Sequence, residues 1–289
     1  MSVISLFSDL EPFLYRPSTE AHDGTAPQTP ATALPLPADA DGLRGHLRMS
    51  WRIARLAAHL AAGCTRVALL YPLVSERTQR KMRARWSRQL LEVLGIELRA
   101  RGALPRPGRL LVSNHISWID VFAINAISPL SFVCKDDVRG WPVIGWLVAR
   151  NHTVFIRRSS RSSAAEVRDR LVHALARGNS VMVFPEGTTS DGRDVLPFRA
   201  ALFQSAIDAG RAVKPVRLRY VDHRGEHSEV APYIDEVNFW QSVCMIARAP
   251  RTVAEVELLP ELPSHGLHRQ DLAALAHARI CGKDGPQPV

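Results

Sequence analysis

Apolar and polar positions change period along this chain, and each change marks an element. From Arg48 to Val74 apolar residues dominate, and at 100° per residue Arg48, Arg52, Arg55, His59 and Arg66 fall on one stripe. This pattern predicts an amphipathic helix lying in a membrane interface, its basic stripe turned to lipid headgroups. A core-packed helix with a solvated basic edge fits the same period. A true span would hold the arginines near mid-bilayer, where charge is costly. A second helix is predicted over Glu76–Leu94. Met82, Trp86, Leu90 and Leu94 form its apolar face, Arg77, Arg80, Lys81, Arg83, Arg85 and Arg88 surround it, and Gly95 stops it.

Beyond residue 96 the pattern alternates between strand and helix. Strands are predicted over Ile96–Ala100, Arg109–Ser113 after the Pro107-Gly108 turn, Ser131–Cys134, Thr153–Ile156, Val181–Phe184, Val213–Tyr220 and Val253–Leu259. Helices are predicted over Trp118–Ile127, from a capping box at Ser163–Glu166 to just before Gly178, over Arg199–Asp208 and over Arg269–Ile280. Tyr233–Ala247 reads as an insert or helix near the sheet edge, without a functional reading. The fold class is α/β: a mixed, largely parallel sheet flanked by helices, preceded by an N-terminal amphipathic membrane-associating helix pair. The expected organisation is a disordered tail over 1–42, rich in Pro, Ala, Thr and Asp, the helix pair over 43–95, the α/β domain over 96–283 and a short tail over 284–289.

Composition narrows the partners. A formal net charge of +9 implies an anionic surface, nucleic acid or phospholipid. The basic residues lack interleaved aromatic stacking groups, which disfavours nucleic acid. Cys64, Cys134, Cys244 and Cys281 lie far apart without a CxxC pair, so reduced thiols are expected, with no disulfide framework and no metal site. The first residues show no basic region followed by an apolar stretch, so no secretory signal is read there.

Three stretches carry candidate chemistry. In Asn114-His115-Ile-Ser117-Trp-Ile-Asp120 a strand end meets a helix start. A five-residue separation lets Asp120 return to the imidazole, set its tautomer and leave the other nitrogen free to take a proton. Taken alone, this spacing favours a capping Ser117 beside a structural histidine. In Phe184-Pro-Glu186-Gly187-Thr188-Thr189-Ser190-Asp-Gly192 an apolar strand runs into a loop whose amides and hydroxyls suit an anion. Glu186 would repel phosphate there, so it reads as a hydroxyl ligand or as the orienter of a basic residue; a plain turn is the alternative. Phe155-Ile-Arg157-Arg158 ends in a guanidinium pair suited to phosphate, and Lys135 projects at the same sheet edge. Arg193 and Arg199 flank the Thr-rich loop. Neither a Gly-x-Ser-x-Gly elbow, a Walker loop nor a dinucleotide fingerprint is present.

NHISWID, VFIRR, FPEGTTSDG and Val213-Lys-Pro-Val216 resemble the four ordered blocks of the glycerolipid acyltransferase family, over about residues 48–281. Within it the nearest resemblance is to the bacterial enzymes that acylate 1-acyl-sn-glycerol-3-phosphate. The resemblance implies that His115 and Asp120 are catalytic, with His115 deprotonating a lysophospholipid hydroxyl that attacks acyl-CoA or acyl-carrier protein. These thioesters are co-substrates; no cofactor is implied. It also implies that Arg158 and Lys135 hold the acceptor phosphate. Asn114, Ser117, Glu186, Gly187, Thr188 and Thr189 would complete the substrate site. The implied location is the cytoplasmic face of the bacterial inner membrane, monotopic or peripheral. Three departures bear on the acceptor: Thr189 stands where the family commonly has Arg, His152 stands where many members have Gly, and FPEGTTSDG also resembles the lyso-ornithine-lipid branch, whose acceptor lacks phosphate. A non-catalytic basic membrane-binding protein and a hydrolase using water through His115 are the competing readings.

Overall fold

The computed structural model describes residues 42–135, 154–156, 161–234 and 237–282. In it α1 spans Leu43–Leu69, followed by a 3-10 turn at Tyr71–Leu73 and by α2 over Glu76–Leu94. The Ser75 hydroxyl caps α2 by accepting from Thr78 N. Gly95 ends it with φ +79°, and a Cβ there would meet the Arg52 guanidinium at 2.0 Å. Gly95 is thus required by both its conformation and its neighbour.

The remaining elements are β1 Ile96–Gly102, β2 Leu110–Ser113, α3 Asp120–Ile127, β3 Ser131–Lys135, β4 Val154–Ile156, α4 Arg161–Ala176, β5 Val181–Val183, α5 Gln204–Asp208, β6 Val213–Asp222, α6 Phe239–Arg248, β7 Thr252–Leu258 and α7 Arg269–Cys281. Among the described residues the strands form one sheet in the order β1-β7-β6-β2-β5-β3-β4. β6 and β7 pair antiparallel and every other neighbour pairs parallel, so the sheet is mixed and largely parallel.

Both faces are covered, as strands that are apolar on each side require. Leu111, Met182, Val216 and Leu218 pack under α2, α3 and α6, whereas Leu110, Val112, Val181 and Val183 face α4, α5 and α7. This alternation along β2 and β5 is the period of two expressed as two cores.

Two expectations are corrected. The helix after β4 begins at Arg161, so Ser163 lies inside its first turn, and Glu166 pairs with Arg170 one turn on. The basic stripe of α1 faces protein in large part. Arg48 Nε donates to Arg248 O at 2.9 Å, and Arg52 donates to the carbonyls of Ala247, Ala249 and Pro250 at 3.2, 2.7 and 3.2 Å. These carbonyls are the orphan acceptors and the negative dipole end of α6, which is why guanidinium groups settle there. Burial beside Arg48 and Arg55 lowers the Arg52 pKa to about 10. His59 stacks on Trp86 and bonds its carbonyl at 3.2 Å. Arg55 and Arg66 stay exposed, as do Leu43, Leu47, Trp51 and Leu69.

The 1–42 tail, apart from Gly42, and the 284–289 tail lie outside the described residues. Cys64 and Cys244 are free thiols.

Candidate active site

β2 and β5 are neighbouring parallel strands, and both run into motif loops at their C-terminal ends: Asn114–Ile119 after β2 and Phe184–Gly192 after β5. Sites in such sheets form beyond these ends.

Asp120 is the first residue of α3 and is completely buried. Its Oδ2 accepts from His115 Nδ1 at 2.8 Å, Ile116 N at 2.7 Å and Ser117 N at 3.1 Å. Its Oδ1 accepts from the Tyr220 hydroxyl at 2.7 Å. Four donors on two oxygens, at a helix N-terminus, are the setting of an ionised carboxylate. That charge keeps the proton on His115 Nδ1 and leaves Nε2 as an acceptor. Nε2 has no partner among the described residues. The imidazole is half-buried and stacks on Phe184, with centroids 4.0 Å apart and planes 14° from parallel.

The second loop grips the backbone of the first. Glu186 Oε2 accepts from His115 N and Oε1 from Leu196 N, each at 3.1 Å. His115 O in turn accepts from Ser190 N at 2.8 Å and Ser190 Oγ at 3.3 Å. Burial is the main force raising the Glu186 pKa to about 7; the two amides oppose it and Asp120 adds to it. Thr189 Oγ1 donates to Tyr233 O at 2.5 Å, and Tyr233 N donates to Ile116 O at 2.9 Å, so residue 233 bridges both loops.

Several expected substrate ligands thus have other tasks. Glu186 is buried and positions His115 by its backbone. Asn114 is buried, donating from Nδ2 to Leu218 O at 3.0 Å and accepting at Oδ1 from Leu218 N at 2.9 Å. Its amide thereby prolongs the β2–β6 ladder past Ser113. Ser117 Oγ is buried without a partner, and its amide serves Asp120. The hydroxyls of Thr189 and Ser190 are taken by carbonyls. Gly187 and the half-buried Thr188 remain open, and a Cβ on Gly187 would meet the Arg199 guanidinium at 2.7 Å. Of Lys135 only the backbone, at the end of β3, is described; Arg158 lies outside the described residues.

The region after Tyr233 also acquires a role. Asn238 and Gln241 form a reciprocal capping box that opens α6. Ser242 Oγ accepts from Trp118 Nε1 at 3.1 Å, and Phe239 packs on the same indole.

Comparison with known proteins shows the family. The acyltransferase family model matches residues 95–219. The chain is 37% identical to the lyso-ornithine lipid O-acyltransferase of Pseudomonas aeruginosa over 195 residues, 68% of this chain and 75% of that protein. This chain belongs to the acyltransferase family. It is also 44% identical to the 1-acyl-sn-glycerol-3-phosphate acyltransferase of Neisseria gonorrhoeae over 143 residues, 49% of this chain and 56% of that protein. The crystal structure of the 1-acyl-sn-glycerophosphate acyltransferase of Thermotoga maritima shares the fold, with a TM-score of 0.62, 17% identity, and coverage of 85% of this chain and 98% of that one. The acyltransferase assignment places the matched segment over both motif loops and the Tyr220 strand as far as Arg219.

Proposed function

We propose that the protein transfers a fatty acyl group from a thioester donor, acyl-CoA or acyl-carrier protein, to the free hydroxyl of a lysophospholipid. The observation that carries this reading is His115, tied to Asp120 at Nδ1 with Nε2 free. Neither Ser117 nor Ser190 hydrogen-bonds the imidazole, so the nucleophile comes from the substrate. The acceptor hydroxyl loses its proton to Nε2 as its oxygen attacks the thioester carbonyl carbon. The C–S bond then breaks, and the leaving sulfur takes the proton from the imidazolium, giving ester and free thiol. Asp120 holds the imidazolium through this cycle.

The acceptor in this reading is 1-acyl-sn-glycerol-3-phosphate, with Lys135 and Arg158 as its phosphate ligands and phosphatidic acid as product. The 44% identity to the Neisseria enzyme over 143 residues supports it. A second reading, lyso-ornithine lipid as acceptor, is favoured by Thr189, which brings no cation to its loop, and by the longer match to the Pseudomonas enzyme.

Association with a membrane follows from α1. Leu43–Leu73 is long and apolar enough to cross a membrane by length and composition, yet Gly45, Leu56, Gly63 and Val67 pack against the body. Its outer face presents Leu43, Leu47, Trp51 and Leu69, with Arg55 and Arg66 exposed alongside. Apolar residues flanked by cations suit an anionic surface on which the helix lies. A thioester donor made in the cytoplasm supports the cytoplasmic face of the inner membrane as the location in this reading.

The test is acyl transfer by purified protein in detergent, offering labelled acyl-CoA and acyl-carrier protein with either lysolipid. Diacyl product from 1-acyl-sn-glycerol-3-phosphate is expected. Product from lyso-ornithine lipid alone would overturn the acceptor, and free fatty acid without lysolipid would make the protein a hydrolase.

A further inference from the structure

We infer that Tyr220 is a positioning residue of the catalytic pair: its hydroxyl fixes the Asp120 carboxylate, and through it His115. This inference rests on the reading of His115 as the base. Tyr220 is on β6, one hundred residues from Asp120 in sequence, and is 2% exposed. Its hydroxyl donates at 2.7 Å to Oδ1, the carboxylate oxygen facing away from the imidazole.

A carboxylate turns about a soft terminal torsion, roughly twofold in its preference. The three donors from His115, Ile116 and Ser117 all converge on Oδ2. Without a partner on Oδ1, the carboxylate plane could twist and carry Oδ2 out of line with that cluster. Tyr220 removes this freedom. The hydroxyl cannot swing away, because its ring is locked in the core under α2, α3 and α6. Strand β6 is itself clamped to the motif by the double bond between Asn114 and Leu218, two residues before Tyr220. The ring and the motif therefore share one rigid frame. The phenol stays protonated: burial first, and then Asp120, pushes its pKa well above the ordinary tyrosine value, so it acts as a donor throughout the working range.

The hydroxyl also draws charge density from the carboxylate. Without it, Asp120 holds the imidazolium more firmly, so the base must be freed at higher pH. Among the described residues, the titratable side chain bonded to the motif's backbone is Glu186, which accepts from His115 N and Leu196 N; the Tyr220 substitution leaves those bonds in place.

The test is Tyr220→Phe in the full-length protein, assayed with labelled acyl-CoA and the lysolipid that the native enzyme acylates. kcat is expected to fall about tenfold or more, the size of a lost hydrogen bond to a charged group. KM for both substrates should stay unchanged, and the acid limb of the kcat/KM profile should move to higher pH. In an Asp120→Asn background the same substitution should cause little further loss, because both act through one group. A Phe variant with native kcat and an unmoved acid limb would overturn the inference, whatever its thermal stability. So would a full additional loss in the Asn background. His115→Ala run beside it separates the two claims. If that variant is inactive while Tyr220→Phe is native-like, only the role of Tyr220 fails; if it stays active, the base reading fails first.

Discussion

Glu186 looks like a substrate ligand in sequence and acts as a clasp in the structure, accepting one backbone N–H on each oxygen. Glutamine keeps the shape but turns an amide donor toward one of those two N–H groups. Glu186→Gln should therefore cost about 1–3 kcal/mol and lower kcat by loosening the His115 loop. The pH dependence has a definite sign. With its pKa raised from 4.5 to about 7, folded Glu186 keeps a proton that the unfolded chain has released between those values. Its contribution is most favourable at the acid end, falls as pH rises through that window, and levels off above it. Denaturation midpoints at pH 5 and pH 8 should show this slope in the native protein and its absence in the Gln variant; equal slopes would contradict the account. At this scale the His115–Asp120 pair was legible because its contact is local. Tyr220 was not, since a tyrosine in a strand reads as core until tertiary structure brings it to Asp120. The inward amide of Asn114 was hidden for a related reason: its bonds to Leu218 are made across distant segments.

Among the elements, α1 separates what periodicity can and cannot say. The pattern identified which residues share a face, and the helix is there. It did not say which way that face looks. Arg48 and Arg52 turn inward because the C-terminal carbonyls of α6 need donors, and α6 lies almost two hundred residues away. The outward face is the apolar one, with Leu47 61% and Trp51 65% exposed. Leu47→Glu with Trp51→Glu should therefore remove most binding to vesicles containing anionic phospholipid, measured by co-flotation. The unfolding free energy should change by only about 0.5 kcal/mol per site, as at most surface positions. Undiminished flotation would mean that another surface meets the membrane. By contrast α2 has the expected bounds, because Gly95 punctuates it in the sequence itself; the Ser75 cap came only with the structure.

Among the described residues the molecule is a seven-stranded sheet with a helical layer on each face, one end of two adjacent strands carrying the chemistry and α1 exposing apolar surface. The alternation of strand and helix made the α/β class legible. The strand order was not, because the antiparallel β6–β7 pair and the placement of β1 beside β7 depend on contacts between distant segments. Both motif loops meet only because β2 and β5 are neighbours, so the site is a product of topology as much as of motif. The most direct test of the account is the rate of acyl transfer by His115→Ala against the native protein, with labelled donor and saturating lysolipid. The account predicts a loss of at least about a hundredfold, the scale of general-base catalysis, with lysolipid binding retained. A near-native rate would make His115 a structural residue and contradict the mechanism.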